Sequence, residues 1–139
     1  MSSADNKAVV RCFFEEADKG NFEASFACLA DNHLQHFPGT DKALDKAGHE
    51  QLILAFHHAF PDWHHTNIRL VAEGDLVVTW ATARGTHKGE WQGIAATGRS
   101  VAVTGVAMQR IVNGKIGEEW SCFDSLAFME QLGAVNVKR

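Results

Sequence analysis

Between Ala4 and Lys19, the apolar residues Val9, Val10, Phe13, Phe14 and Ala17 recur at helical spacing, with Glu15, Glu16 and Asp18 between them. This pattern predicts an amphipathic helix, and Gly20 stands where a helix C-cap falls. Phe22, Phe26 and Leu29 follow at i, i+4 and i+7, which predicts a second short helix from Phe22 to Ala30. Asp31-Asn32 is a turn signal. His33-Leu34-Gln35-His36-Phe37 alternates too weakly to read as a strand on its own, and Pro38-Gly39 ends it. A third helix is expected from about Asp45 to Phe60, with Leu52, Ile53, Ala55, Phe56 and Phe60 as its apolar residues and Pro61-Asp62 as its stop.

Beyond Pro61 the period changes from helical to alternating. Ile68–Val71 and Leu76–Trp80 flank Glu73-Gly74-Asp75, a hairpin with Gly at its turn. Val101–Val112 reads as the next strand, and Asn113-Gly114 is the strongest short hairpin signal in the chain. Ile116–Phe123 is its partner, and Ser125–Leu132 is a closing helix ended by Gly133. Helices followed by an antiparallel meander define an α+β domain in which N-terminal helices cover one face of a curved sheet. Such a sheet leaves an apolar hollow suited to a small molecule. On Leu76–Thr86, one face carries Leu76, Val78, Trp80, Thr82 and Arg84, and the other Val77, Thr79, Ala81 and Ala83. Both faces are apolar at their centres, so one is expected to line a pocket and the other to meet a second copy. Val77, Thr79 and Ala81, with Val106 and Met108 alongside, are assigned to that dimer face.

Composition narrows the class. The 139 residues fit one domain, 1–139, with no linker or repeat. Charged residues make up 22% and apolar residues 45%, which speaks against both a membrane protein and a disordered chain. The net charge of −4 argues against nucleic acid as a partner. Cys12, Cys28 and Cys122 form no disulfide framework, and the N-terminus lacks the apolar run of a secretory signal, so a reduced, cytoplasmic protein is expected. No dinucleotide fingerprint, P-loop or metal-ligand cluster is present, so no cofactor and no metal are expected. Among the eight histidines, the adjacent His57 and His58 point about 100° apart on a helix and cannot both chelate one ion.

The stretch from Gly85 to Arg99, with His87, Gly89, Trp91, Gly93 and Gly98, resembles the signature of the SnoaL-like polyketide cyclases. Ala59-Phe60-Pro61-Asp62, Val71–Asp75, Arg110-Ile111 through Ile116, Glu119-Trp120 and Gln131-Leu132-Gly133 fit the same family in order. The resemblance implies a nuclear transport factor 2-like cone: a barrel of curved antiparallel sheet with N-terminal helices packed on it and a short C-terminal helix. It also implies a homodimer and a pocket inside the cone. The family's characterised cyclases close a ring by intramolecular aldol condensation with acid–base groups and no cofactor. The resemblance puts their catalytic aspartate at Ser121 and their supporting histidine at Ala107. A serine cannot replace a carboxylate as a base toward a carbon acid.

Other residues are therefore candidates for the chemistry. Asp124 is read either as the N-cap of the last helix or as a general base. His36 is read either as a proton shuttle beside the pocket or as a backbone-bonded histidine. Glu50 reads as a solvated helix residue. Phe14, Phe60, Trp63, Trp80 and Trp91, with Ala107 and Ser121, are the candidate ligand-binding residues, while Phe56 and Phe123 read as ordinary core. The chain has no tyrosine, which leaves indole N–H groups, Ser121, Gln109, Arg84 or a histidine as donors to an enolate. The leading expectation is a protein that binds a small hydrophobic carbonyl compound, polyketide- or terpenoid-like, and performs cofactor-independent cyclisation, isomerisation or hydration. The competing expectations are a carrier without chemistry and a dimeric interaction module. A strongly perturbed carboxyl or histidine inside the cavity favours the enzyme, and a purely apolar cavity favours the carrier.

Overall fold

A computed structural model describes residues 2–138. Its elements are α1 (Ser3–Asp18), α2 (Phe22–Phe26), β1 (Leu29–His36), α3 (Lys46–Ala59), β2 (His64–Glu73), β3 (Leu76–Thr86), β4 (Ser100–Val112), β5 (Lys115–Phe123) and α4 (Ser125–Gln131). The five strands form one sheet in the order β1-β5-β4-β3-β2. β2 to β5 run as an antiparallel meander, and β1 joins β5 in parallel. The sheet is curved but unclosed, and α1 and α3 complete the cone across its concave face. Ser2 caps α1 in a reciprocal capping box with Asp5. Asp45 caps α3 by accepting from the Gly48 N–H.

Two expected elements change. The second helix ends at Phe26, because Leu29 and the residues after it leave to pair with β5. The weakly alternating segment at His33–Phe37 lies largely within a full strand, β1. Its alternation was hidden because the residues it buries, His33 and Gln35, are polar. Parallel pairing of Gln35 beside Glu119 and His36 beside Trp120 supplies the strand that local pattern did not announce.

The two ends of the cone have separate cores. Val10, Phe13, Leu29, Val77, Ile111 and Ile116 pack beneath α1. Phe60, Trp63, Trp91, Val101, Phe128 and Leu132 pack at the end closed by α4. Phe60 and Trp91 are thus wholly inside this second core. The β3–β4 connection folds back onto the end of α3, where the N–H groups of Lys88 and Gly89 both donate to the Ala59 carbonyl. A Cβ at Gly89 would lie 2.6 Å from the His58 carbonyl oxygen, so backbone meets backbone there and only glycine fits.

Gly93 in the same connection has φ 84° but open space around it. Gly89→Ala is therefore expected to cost more than Gly93→Ala, roughly 3 kcal/mol against about 1. Urea unfolding of both variants checks the order, and equal losses would show that the connection can move off α3.

Candidate active site in the cone

The concave face of the sheet and the helices above it enclose a cavity of about 190 Å³. Apolar side chains supply most of its wall: Phe13, Phe14 and Ala17 from α1, and Leu52, Ile53 and Phe56 from α3. Among the described residues, no Lys or Arg lines it. A polar crescent crosses the sheet side, made by Gln35, Glu119, Ser121 and Thr79, with Gln109 beside them. His57 and His65 also reach the wall. The His65 Nδ1 lies 2.9 Å from Asp18, whose other oxygen accepts the His65 backbone N–H.

The strand pleat builds this crescent. Gln109 stands opposite Glu119 across the β4–β5 pair, and Ala107 opposite Ser121. Gln35 stands beside Glu119 across the β1–β5 pair. Glu119 is 3% exposed; its Oε2 accepts from Gln109 Nε2 at 2.7 Å, and Gln109 Oε1 accepts from the Thr79 hydroxyl. Burial pushes the Glu119 carboxyl up to about 7, against the opposing pull of the Gln109 hydrogen bond. At neutral pH it is held near the midpoint between acid and carboxylate.

Two histidines back this carboxyl. His33 Nδ1 lies 3.0 Å from the Ile116 carbonyl, an obligate acceptor, so Nδ1 carries the proton. His33 Nε2 then accepts from His49 Nδ1 at 3.0 Å. That fixes the His49 tautomer and leaves its Nε2 lone pair facing Glu119 Oε1 at 3.8 Å. Burial lowers the pKa of both rings, that of His49 to about 3, so both are neutral at pH 7. The arrangement holds one movable proton between Glu119 and its surroundings, with neutral bases behind it.

Of the residues expected from sequence, Phe14, Trp63, Ala107 and Ser121 line the cavity. So do Phe56 and Phe123, which pattern had assigned to ordinary core. Phe60 and Trp91 do not line it; they belong to the core at the α4 end. Trp80 is 54% exposed on the convex side of the sheet. The dimer-face assignment for β3 is likewise corrected. Val77, Thr79 and Ala81 are buried on the concave side, and Val78 and Trp80 share the convex face with Val106 and Met108. Asp124 is exposed and caps α4 by accepting from the Ala127 N–H. His36 stacks on Trp120 and meets Glu118 at 2.6 Å, outside the cone. Asp124 and His36 are therefore not brought together, and neither lines the cavity. Arg84 turns to Thr66 at an exposed site. Glu119, His49, His33 and Gln35 were not anticipated as site residues. The available signal was register: once the strands are paired, Glu119 stands opposite Gln109 and Gln35 stands beside Glu119, whereas nothing local marked His33 or His49.

Among the described residues, no cluster of His, Cys, Asp or Glu is arranged to hold a metal ion, and no helix is long and apolar enough to cross a membrane. The fold and site define an α+β cone with an apolar cavity and one buried ionisable wall. Residues 8–132 match the family model of the SnoaL-like polyketide cyclases, and the chain belongs to that family. AclR of Streptomyces galilaeus, a candidate hydroxylase, superposes with a TM-score of 0.90 at 24% identity, covering 99% of this chain and 91% of its own. IdmH of Streptomyces antibioticus, a candidate polyketide cyclase, is 30% identical with a TM-score of 0.80, covering 92% and 98%. A candidate polyketide cyclase of Acidithiobacillus ferrooxidans is 29% identical with a TM-score of 0.80, covering 97% and 100%. Comparison with curated proteins gives no match.

The two perturbed groups tilt stability in opposite directions. Between pH 4.5 and about 7 the folded chain holds a proton on Glu119 that the unfolded chain releases, so stability falls as pH rises through that window. Between about 3 and 6.5 the unfolded chain protonates His49 while the folded chain does not, so stability rises with pH there. Glu119→Gln removes only the first effect. It is expected to gain on the wild type, on the order of 2–3 kcal/mol, as pH moves from about 5 to about 8. Urea unfolding across that range checks it, and a difference independent of pH would refute it.

Proposed function

We propose that the protein is an enzyme that binds a small hydrophobic carbonyl compound in the cone and moves a proton on it without a cofactor. The outcome is isomerisation, cyclisation or hydration. One observation carries the reading: a buried carboxyl whose pKa is raised to about 7 stands in the polar crescent of a largely apolar cavity. A general base works best when its pKa lies near the operating pH, and burial is the usual way a carboxyl gets there. A carrier without chemistry has no need of such a group, whose burial is costly.

In the proposed reaction the Glu119 carboxylate takes a proton from the carbon next to the carbonyl. The C–H electron pair moves into the new C=C bond and the carbonyl electrons onto oxygen. The Ser121 hydroxyl, which accepts from Gln35 Nε2 at 2.6 Å, keeps its own hydrogen to donate to that oxyanion. Glu119 then returns the proton to carbon, or the enolate carbon attacks a second carbonyl, whose π electrons move onto its oxygen, and the Glu119 acid gives that alkoxide the proton. His49 and His33 act as positioning residues that keep the floor neutral. Ala107 and Ser121 take no part as an acid–base pair.

The test is deuterium exchange at the α-carbon of 2-tetralone in D₂O, followed by NMR. Wild type is expected to accelerate exchange, with a rate that rises as pH passes through about 7, because the base is the ionised form. Glu119→Gln should lose about 10²–10⁴-fold, while Asp124→Asn and His36→Ala keep the rate. Full activity in Glu119→Gln, or its loss in Asp124→Asn with the fold intact, would sink the assignment.

We also propose a homodimer through the convex face. Val71, Trp80, Val106 and Leu34 leave apolar surface on this face of the sheet, and an exposed patch of this kind commonly marks an interface. Closed two-fold pairs are the commonest assembly. Sedimentation at micromolar concentration is expected to give a dimer that Trp80→Glu converts to monomer; a monomeric wild type would end the proposal.

A further inference from the structure

The crescent leaves a fully buried polar atom without a hydrogen bond. Gln35 is 1% exposed, its Nε2 donates to Ser121, and its Oε1 has no hydrogen-bond partner. A buried acceptor left without a partner is costly, and native interiors rarely keep one without a reason. Gln35 and Ser121 both line the cavity. We infer that Gln35 is a specificity residue, and that the cone takes a neutral ligand whose hydroxyl donates to Gln35 Oε1 while a nearby carbonyl accepts from Ser121.

Hydrogen-bond inventory leads to that ligand. Ser121 accepts from Gln35, so its own O–H is free, and the pair presents the unpartnered Gln35 Oε1 as an acceptor beside the Ser121 hydroxyl as a donor. Rotating the amide by 180° exchanges the two roles but still leaves a donor beside an acceptor. A plain hydrocarbon or simple ketone leaves the acceptor unmatched, whereas a hydroxylated carbonyl compound satisfies both. Charge selects further. With no Lys or Arg among the described residues of the wall and Glu119 beside Gln35 across the strand pair, an anionic ligand would meet acceptors and a carboxyl with no counter-ion there. The ligand is therefore an uncharged alcohol, enol or phenol rather than a carboxylate. A site built to receive a hydroxyl discriminates strongly against analogues that lack it.

This inference rests on the reading of the cone as the ligand site, and binding tests it apart from catalysis. The probes are 2-naphthol, 2-methoxynaphthalene, naphthalene and 2-naphthoate, titrated by NMR with the shifts of the Gln35 side-chain amide and the Ser121 amide followed. Wild type is expected to bind 2-naphthol about tenfold or more tighter than naphthalene or the methyl ether, and to bind 2-naphthoate no better than naphthalene. The double variant Gln35→Met with Ser121→Ala should lose the hydroxyl preference while still binding naphthalene. Glu119→Gln should keep the preference although it loses exchange. Equal affinities in wild type, tight naphthoate binding, or a preference that survives in the double variant would overturn the inference and leave the ligand-site reading standing. Failure of every probe to shift the two reporter groups would overturn both.

Discussion

The site depends on one extra residue in β5. The Asn113-Gly114 turn pairs Val112 with Lys115 and Ile111 with Ile116. Continued in step, that register would set Gln109 opposite Glu118. Instead the pairing shifts, so that Arg110 meets Glu118 and Gln109 meets Glu119, with Gly117 left over as a bulge. Because side chains alternate along a strand, this single residue reverses the facing of everything after it. Glu119 and Ser121 turn into the cone, and Glu118 and Trp120 turn out to meet His36. Without the bulge the chain would bury Trp120 where it now has Ser121, and Glu118 would take the inward place of Glu119.

A carboxyl so placed would destabilise the fold if it stayed charged and alone. The surrounding residues lower that cost in two ways. Gln109 donates to one oxygen and is itself fixed by Thr79, so the carboxyl has a partner in either protonation state. The histidines behind it are kept neutral by burial and locked by the Ile116 carbonyl, so the floor carries no fixed charge to pin Glu119 as a carboxylate. A lysine or arginine in that position would have stabilised the ion and removed its ability to exchange a proton near neutrality. The group is therefore stable enough to fold around and labile enough to titrate.

Much of the fold was legible because apolar period and turn chemistry agree. The helix at Val9–Ala17, the turns at Gly74 and Asn113-Gly114, and the α4 cap at Asp124 follow from local rules and appear in the structure. What was not legible is non-local. β1 hides because its inward residues are His33 and Gln35, and hydrophobic alternation cannot register buried polar groups. The inward face of β3 was misassigned because Val78 and Trp80 are as apolar as Val77 and Ala81; only packing against the helices separates them. Glu119 was invisible as a site residue because its direction is set by a bulge in the register, which the side-chain pattern does not reveal. Asp124 and His36 attracted attention for their chemistry, but the cap and the Glu118 contact account for where they stand.

The same pleat explains how a family site can change its residues and keep its cavity. Across β4 and β5, Ala107 faces Ser121 in one row and Gln109 faces Glu119 in the next, two residues along the same face. Two residues along a strand are about 6.8 Å, so a carboxyl in the second row still addresses the hollow that one in the first row would. On the proposed reading, the acid–base group has shifted one row along β5. The vacated row has become the place where Ser121, tied to Gln35, holds the oxygen end of the ligand. The exchange is possible because the inner surface is a lattice of equivalent inward positions. Each can carry a polar group provided a residue of the adjacent strand supplies a hydrogen bond, as Gln109 does from directly opposite Glu119 and Gln35 does from the diagonal position to Ser121. Polar residues on this wall therefore change most easily in cross-strand pairs, because a single change leaves a buried neighbour without its partner.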